Sequence, residues 1–242
     1  MGAAVLVFAG AGAGVGMAVT ADNPSTPAAG PTTTVAPGGG KHAGKHTGAK
    51  DKVDPARQAW AHQYGLDRAT MPMLADVASA SPDQQAAAAD LLARTQAATA
   101  QYSDLDKAKA AGFDLQASLT KDEKKRPNLA ADLQRIDSGQ PAKNGKMPML
   151  HVGNKANRAD GKVLDPTAPE TLMYGYQGHG NWTLVGVMYT ANESYPQAPP
   201  DPGGPITRWH YHDKAGGQKL MMHIFFVPGN DLAHAYATEM GG

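Results

Sequence analysis

The chain has 242 residues, with 22 basic and 22 acidic side chains and no cysteine. This length suits one domain or two small ones, and the lack of cysteine excludes disulfides, thiolate metal sites, a cysteine nucleophile and a lipobox anchor. The balanced charge offers no basic footprint of the kind that nucleic-acid binding needs, so we expect no nucleic-acid partner.

The first 21 residues are predicted to be a targeting segment. They contain no charged side chain, and Val19 and Ala21 fit the small-residue pattern of a signal-peptidase site, which places cleavage after Ala21. A basic n-region is missing, and a segment of this length can just span a bilayer. The alternative is therefore an uncleaved membrane tether through residues 1–21. Both interpretations predict a secreted or extracytoplasmic protein.

Residues 22–52 are predicted to be a disordered linker. Proline, threonine, glycine and alanine dominate this stretch, followed by a KHAGKH repeat. So little apolar surface cannot offset the entropy of ordering the chain. We interpret His42 and His46 as solvated linker residues, with a weak metal-loading tract as the alternative.

Residues 53–140 have the pattern of a helical arm. Asp54-Pro55 and Ser81-Pro82 are helix starts, and Gln84 completes a capping box with Ser81. The expected helices run from Asp54 to Gly65, from Pro82 to about Gln101, from about Ser103 to Gly112, and from Leu129 to Ile136. Their residues carry no chemistry, so we expect a scaffold.

From residue 141 to the end, the hydrophobic period changes to two, which is typical of strands. We expect an α+β fold in which the helical arm precedes a small antiparallel β-barrel or sandwich, cupin-like or similar. Asn230-Asp231 should open a short C-terminal helix. The predicted strands are Met147–Val152, Thr171–Tyr176, Trp182–Thr190, Ile206–His212 and Lys219–Val227.

Side-chain parity predicts a metal site. Residues two apart in a strand share a face, so His210 and His212 point the same way, and three imidazoles converge if the register of the following hairpin puts His223 on that face. Three imidazoles with an open position would bind a divalent transition metal such as Zn, Cu, Fe or Mn. His151 is a candidate fourth ligand. The alternative is that these histidines are satisfied singly by carbonyls or water.

Two other residue types lie near these histidines in the sequence. Glu170 and Glu193 are the acidic residues near strand ends that could serve as a ligand or a base. Methionines precede two of the histidines, at Met147, Met149, Met221 and Met222. Their thioethers would suit Cu(I), or they could simply fill the core.

The run Gly204-Pro205-Ile206-Thr207-Arg208-Trp209-His210-Tyr211-His212 resembles the opening of the first cupin motif, in which a glycine precedes His-x-His by five residues. It departs from that motif at Lys214–Gly217, where cupins have a glutamate ligand. This resemblance implies a metal-binding β-barrel.

Residues 100–235 also resemble exported bacterial proteins of the actinobacterial type. The resemblance implies a shared fold and brings no activity with it. The matching pieces are Tyr102-Ser103-Asp104, Lys107-Ala108, Gly112-Phe113, Met149–Val152, Pro169–Tyr174, Leu184–Val187, Trp209–His212 and Met222–Phe225.

The sequence thus favours an exported protein that binds or carries a divalent transition metal. One alternative is a cupin-type oxygenase or isomerase in which Arg208 orients an anionic substrate. The other is a metal-free ligand-binding or cell-envelope module with an aromatic pocket of Tyr174, Trp182 and Trp209. The small-molecule ligand is not identified by the sequence.

Overall fold

The computed structural model describes Ala56 and residues 71–191, 198–211 and 220–240. The predicted targeting segment, the predicted linker, Glu193 and His212 lie outside the described residues, as does the predicted first helix apart from Ala56. Everything described below belongs to one unit, Thr47–Gly242. Within the described ranges, no helix combines the length and the apolar character needed to cross a membrane.

Helices come first along the chain, as the sequence predicts. Helix α1 spans Pro82–Thr99, and its capping box is present, because the Ser81 side chain accepts from the Gln84 backbone while the Gln84 side chain accepts from Ser81 N. The next helices are α2, Leu105–Ala110; α3, Leu115–Glu123; and α4, Leu129–Asp137. Helix α3 was not predicted. Its N-cap is Asp114, only two residues after Gly112, at which the sequence predicts the preceding helix to end.

The strands form a four-stranded antiparallel sheet in the order β1-β2-β3-β4. A short helix α5 follows after the N-cap Asp231. The sheet and helices together confirm the α+β class, and four predicted strands are present with ends that shift by about two residues at most. The bounds are Met149–Gly153 for β1, Thr171–Gly178 for β2, Asn181–Thr190 for β3, Met221–Phe225 for β4 and Leu232–Ala235 for α5.

The predicted strand Ile206–His212 is wrong over its first half. Gly204 has a φ of +53°, and Ile206 N donates to Gly203 O, so the chain turns tightly there. Thr207 fixes the turn with its hydroxyl, which accepts from Gly203 N and donates to Asp201. Only at His210 does the chain pair with the sheet, through a single bridge to Met221 on β4. The described strands therefore form an open sheet with β1 at one edge, and closure into a barrel is not confirmed.

The sheet has a hydrophobic cluster on each face. On one face, Leu150, Tyr174 and Ile224 pack with the helices, so the helices cover the sheet rather than extend as an arm. Buried hydroxyls lock this contact, since the Tyr189 hydroxyl is 3.0 Å from the Thr95 hydroxyl and Tyr236 donates to the Ala88 carbonyl. We call this the helix face. The other face carries the histidines, and we call it the histidine face.

A β-bulge shifts the alternation within β3. Met173 pairs with Gly186, but the next residue, Tyr174, pairs with Leu184, so Val185 is the extra residue. A bulge places two residues of one strand opposite one residue of its partner. As a result, Leu184 and Val187 both pack in the cluster on the helix face, while Met188, pairing beyond the bulge, packs with Met173 on the histidine face.

Candidate functional site

His210 and His223 lie on the same face of the sheet, the arrangement that the predicted site requires. His210 and Met221 exchange both backbone hydrogen bonds, at 2.8 and 3.0 Å, so they are directly opposite one another. Directly opposite residues of an antiparallel pair share a face, and His223 follows Met221 by two positions on β4. The two rings accordingly meet edge to face, with their centres 5.1 Å apart.

His151 reaches the same place from the far edge of the sheet. It pairs with Met173, which pairs in turn with Gly186 and, across β3, with Phe225. Although β1 and β4 are not neighbours in the sheet, the His151 ring centre lies 6.0 Å from the His223 ring centre. His223 is therefore close to both of the other two histidines.

These separations are compatible with imidazoles that share an ion. With a nitrogen–metal bond of about 2.0–2.1 Å, a ring centre lies about 3.2 Å from the ion, and two ligands at a tetrahedral angle have centres about 5 Å apart. The His210–His223 pair matches this value, at 5.1 Å. The His151–His223 pair, at 6.0 Å, corresponds to a wider angle or a small ring shift.

Backbone carbonyls orient both buried rings. His223 Nδ1 is 3.1 Å from Thr238 O, and His210 Nδ1 is 3.3 Å from Arg208 O. A carbonyl can only accept, so Nδ1 must carry the hydrogen in each ring, an assignment made from the hydrogen-bond partners. In the neutral imidazole, the lone pair then belongs to Nε2. This is the arrangement that metal-ligating histidines commonly have, with the second nitrogen fixed by a carbonyl.

Residues 72–74, which we call the strap, hold in place Thr238 and Arg208, the two residues whose carbonyls orient the rings. Thr238 N donates to Met73 O at 2.9 Å. Arg208 Nη2 donates to Pro72 O at 3.0 Å and to Leu74 O at 2.7 Å. One short segment therefore supports the residues that orient His210 and His223. The guanidinium of Arg208 is used in this contact, whereas the cupin-type alternative needs it for a substrate.

A cavity of about 630 Å³ opens beside two of the histidines. His210 and His223 are 1% and 2% exposed, while His151 is exposed at the surface. This volume is within the usual range for small-molecule pockets. The lining is apolar towards the sheet and charged elsewhere, and comprises Asp122, Arg126, Asn144, Gly145, Lys146, Met147, Met149, His151, His223, Phe225, Glu239 and Met240.

The charges around this cavity are paired. Arg126 lies 3.5 Å from Asp122 and donates to Met149 O, and Lys146 lies 3.6 Å from Glu239. Opposite charges in pairs give the cavity no strong preference for an anionic or a cationic ligand. Its affinity for a ligand must therefore come from the apolar lining and from the imidazoles.

Over residues 71–191, 198–211 and 220–240, the His, Asp and Glu side chains form no group of three that could hold a metal ion. Of the predicted ligands, the structure places His210 and His151 each beside His223, and His212 is outside its described part. The carboxylate of Glu170 is buried against β3, where it accepts from Thr190 N.

The three aromatic residues of the metal-free alternative are engaged in packing. Tyr174 is fully buried and donates its hydroxyl to Tyr102 O. Trp209 is 3% exposed and donates to Pro200 O. Trp182 packs against Tyr176 in a tilted arrangement, with ring centres 4.8 Å apart. These contacts hold the side chains in the core and its margin.

Sequence reasoning missed the supports of the site. Thr238 and Arg208 orient the rings through their backbone carbonyls. Met73 holds Thr238 in place, because the Met73 carbonyl accepts a hydrogen bond from Thr238 N. A carbonyl is present in every residue, so no residue type marks these positions. The methionines opposite the histidines could have been found only with the strand register.

The chain was compared with protein-family models, with curated proteins and with solved structures, and none of them matches it. The resemblances to cupins and to exported bacterial proteins thus remain expectations from the sequence.

Proposed function

We propose that this protein is exported and binds a transition-metal ion, divalent in the simplest case, through His210, His212 and His223, with His151 as a further ligand. The proximity of His223 to both His210 and His151, with ring centres 5.1 and 6.0 Å away, carries this proposal. His212 is included because it follows His210 by two positions in the sequence.

The orientation of the rings supports the proposal. In both buried histidines, Nδ1 lies within hydrogen-bond distance of a backbone carbonyl, so in the neutral ring Nε2 carries the lone pair. A carbonyl contact of this kind fixes the orientation of a metal-binding ring and raises its basicity as a ligand. His223, which is one of these two histidines, also lines the cavity together with His151.

The test is metal analysis of full-length protein purified without a polyhistidine tag. After loading with Zn(II) and desalting, we expect about one equivalent of metal in the wild type. His210→Ala with His223→Ala should remove it. His179→Asn is the matched control, because His179 lies in a loop with a φ of +52°, a conformation that asparagine tolerates.

Two outcomes would refute the metal site. One is full metal retention by the double variant with a native circular dichroism spectrum. The other is loss of metal from the His179→Asn control to the same extent. Because alanine variants of buried residues can unfold, His223→Gln provides a second variant that keeps the volume of the site.

The cavity favours a second candidate function, a metal-dependent enzyme of cupin type acting on a small molecule. Its support is an apolar pocket of about 630 Å³ that reaches His151 and His223, with Asp122 and Glu239 as nearby acids. This function also requires a closed barrel, whereas the described strands are in open order. We therefore rank metal binding or carriage first.

Export is proposed on the sequence of residues 1–21 alone. Expression of the full gene in a bacterial host, followed by fractionation and N-terminal sequencing, tests it. A mature chain that begins at Asp22 in the extracytoplasmic fraction supports cleavage, and an intact chain in the membrane fraction supports the tether. A cytoplasmic chain with an intact N-terminus would overturn both.

A further inference from the structure

Each of the three histidines has a methionine directly opposite it on the neighbouring segment. The register pairs His151 with Met173, His223 with Met188, and His210 with Met221. Opposite residues in an antiparallel pair have Cβ atoms about 4.5–5.5 Å apart on the same face. Each of the three described imidazoles of the proposed site, those of His151, His210 and His223, therefore has a methionine opposite it on the histidine face.

Methionine is concentrated on the histidine face and scarce on the helix face. The cluster on the histidine face consists of Met173, Met188, Phe225 and Ala237, with Met149, Val185, Met221, Val227 and Met240 packed against it. In the larger cluster on the helix face, Met222 is the single methionine among the described residues, and leucine, tyrosine and isoleucine fill the space instead. The same strands supply both faces, so a general need for flexible apolar filler does not explain the asymmetry.

Some of these methionines are buried in the sheet beside the histidines, and others line the cavity. Met173 is fully buried and Met188 is 8% exposed. Met147, Met149 and Met240 line the cavity together with His151 and His223. A metal ion that entered through this cavity would meet thioethers before and beside the imidazoles.

Thioether and imidazole ligands together select a soft metal ion. Thioether sulfur is a soft, uncharged donor that binds Cu(I) well and hard divalent ions poorly. The chain has no cysteine, so methionine supplies all of its sulfur. Neutral ligands also suit a monovalent ion, because burying it leaves less uncompensated charge than burying a divalent one.

We infer that the histidine face is a Cu(I) site, in which Met188 and Met221 contribute thioether ligands beside His210 and His223. This inference rests on the proposed function and names the metal for which the same site is selective. Binding transfers no electron, because copper is bound in the cuprous state in which it arrives.

The test measures Cu(I) and Zn(II) affinities of the full-length, tag-free protein. Cu(I) is supplied anaerobically with ascorbate and competes against bathocuproine disulfonate, and Zn(II) competes against a chromophoric zinc chelator. Met188→Leu with Met221→Leu removes two sulfurs and keeps nearly the same volume. Met222→Leu is the matched control, because it is adjacent to Met221 and buried on the helix face.

We expect the double leucine variant to lose about tenfold or more in Cu(I) affinity, with Zn(II) affinity unchanged. Met222→Leu should leave both affinities as in the wild type. X-ray absorption at the copper edge should show a sulfur shell in the wild type that is absent from the double variant.

The two proposals fail separately. Equal Cu(I) affinity in the wild type and in the double leucine variant, with no sulfur shell, would overturn the Cu(I) inference, and the histidine site would stand if His210→Ala with His223→Ala still removed Zn(II). Absence of both metals from folded wild-type protein would overturn the proposed function and the Cu(I) inference together.

Discussion

His223 and Thr238 are joined by a contact of 3.1 Å between the ring Nδ1 and the backbone carbonyl oxygen. Thr238 is held in turn by its own N–H, which donates to Met73 O in the strap. The orientation of a buried imidazole thus depends on a segment 150 residues away in the sequence, since Met73 and His223 are separated by that distance. A ligand that is fixed before the metal arrives loses less entropy on binding.

Arg208→Leu should weaken metal binding without touching a ligand. The substitution removes both hydrogen bonds from Arg208 to the strap, so the carbonyl that orients His210 becomes less fixed. We expect the affinity for Zn(II) to fall about tenfold, as is typical when a group that orients a metal-binding histidine is lost. The stoichiometry should be unchanged. Competitive chelator titration measures the affinity.

Arg94→Leu serves as the control for Arg208→Leu, because Arg94 makes an exposed ion pair with Asp90 on α1. Exposed pairs of this kind contribute little to stability. Equal affinities in Arg208→Leu and the wild type would contradict a positioning role for the strap.

Metal should stabilise the fold in proportion to the logarithm of its concentration. The proposed ligands come from separate segments, so the unfolded chain does not present them together, and a metal ion held by them should bind the folded state alone. The unfolding free energy should rise by about 1.4 kcal/mol for each tenfold increase in free metal above Kd. Thermal unfolding at a series of buffered Zn(II) concentrations tests this. A His210→Ala variant with the same rise in Tm would count against the site.

Glu170→Gln should flatten the dependence of stability on pH. Burial raises the pKa of Glu170 from 4.5 to about 7. The folded state therefore keeps a proton that the unfolded chain releases, and the unfolding free energy falls as the pH rises from about 4.5 to about 7, then levels off. Glutamine does not titrate, and its oxygen can still accept from Thr190 N.

We expect Glu170→Gln to be more stable than the wild type at pH 8 by about 1 to 3 kcal/mol. Urea unfolding of metal-free protein at pH 5, 6, 7 and 8 provides the measurement. Glu123→Gln controls for the loss of a charge at an exposed position. Parallel pH profiles for Glu170→Gln and the wild type would show that the carboxyl is ionised throughout.

Gly186→Ala should be strongly destabilising. A Cβ at this position would clash with the backbone oxygen of Ile224 and would lie 2.9 Å from the end of the Met173 side chain. The backbone of β4 cannot move aside without breaking its pairing with β3, so we expect a loss of about 1 to 3 kcal/mol or more.

Gly180→Ala is the comparison for Gly186→Ala. Its Cβ would meet nothing within 4 Å, but Gly180 has a φ of +77°. Its cost should be about 1 kcal/mol, from backbone conformation alone. Urea unfolding of both variants gives the order, and a smaller effect at Gly186 than at Gly180 would contradict the steric argument.

Local sequence signals predicted the elements that depend on local physics. The capping box at Ser81 and Gln84 is present, and Gly112, predicted to end a helix, has a φ of +98°. Alternation located β2 and β3 to within two residues at each end. The predicted strand at 206–209 was wrong because the turn at Gly203 and Gly204 is closed by hydrogen bonds from Gly203 N to the Thr207 hydroxyl and from that hydroxyl to Asp201. A period-two pattern carries no information on such bonds.

Parity contributed only part of the candidate site. It predicted a shared face for His210 and His212, and it left the face of His223 to the register of the hairpin. The position of His151 needed three further pairings across β2 and β3, and the bulge at Val185 changes the register on the way. The cavity needed α3 as well, because Asp122 and Arg126 belong to that helix or follow it directly.

Taken alone, the amino-acid order determined the α+β class, most element boundaries and the absence of thiol chemistry. These properties follow from periodicity and composition, which act over a few residues. Only the tertiary structure decided that the helices cover the sheet, that a methionine lies opposite each of three histidines, and that the strap fixes two of the rings. Those relations depend on strand register and on backbone carbonyls, which every residue has and which therefore leave no mark in the sequence.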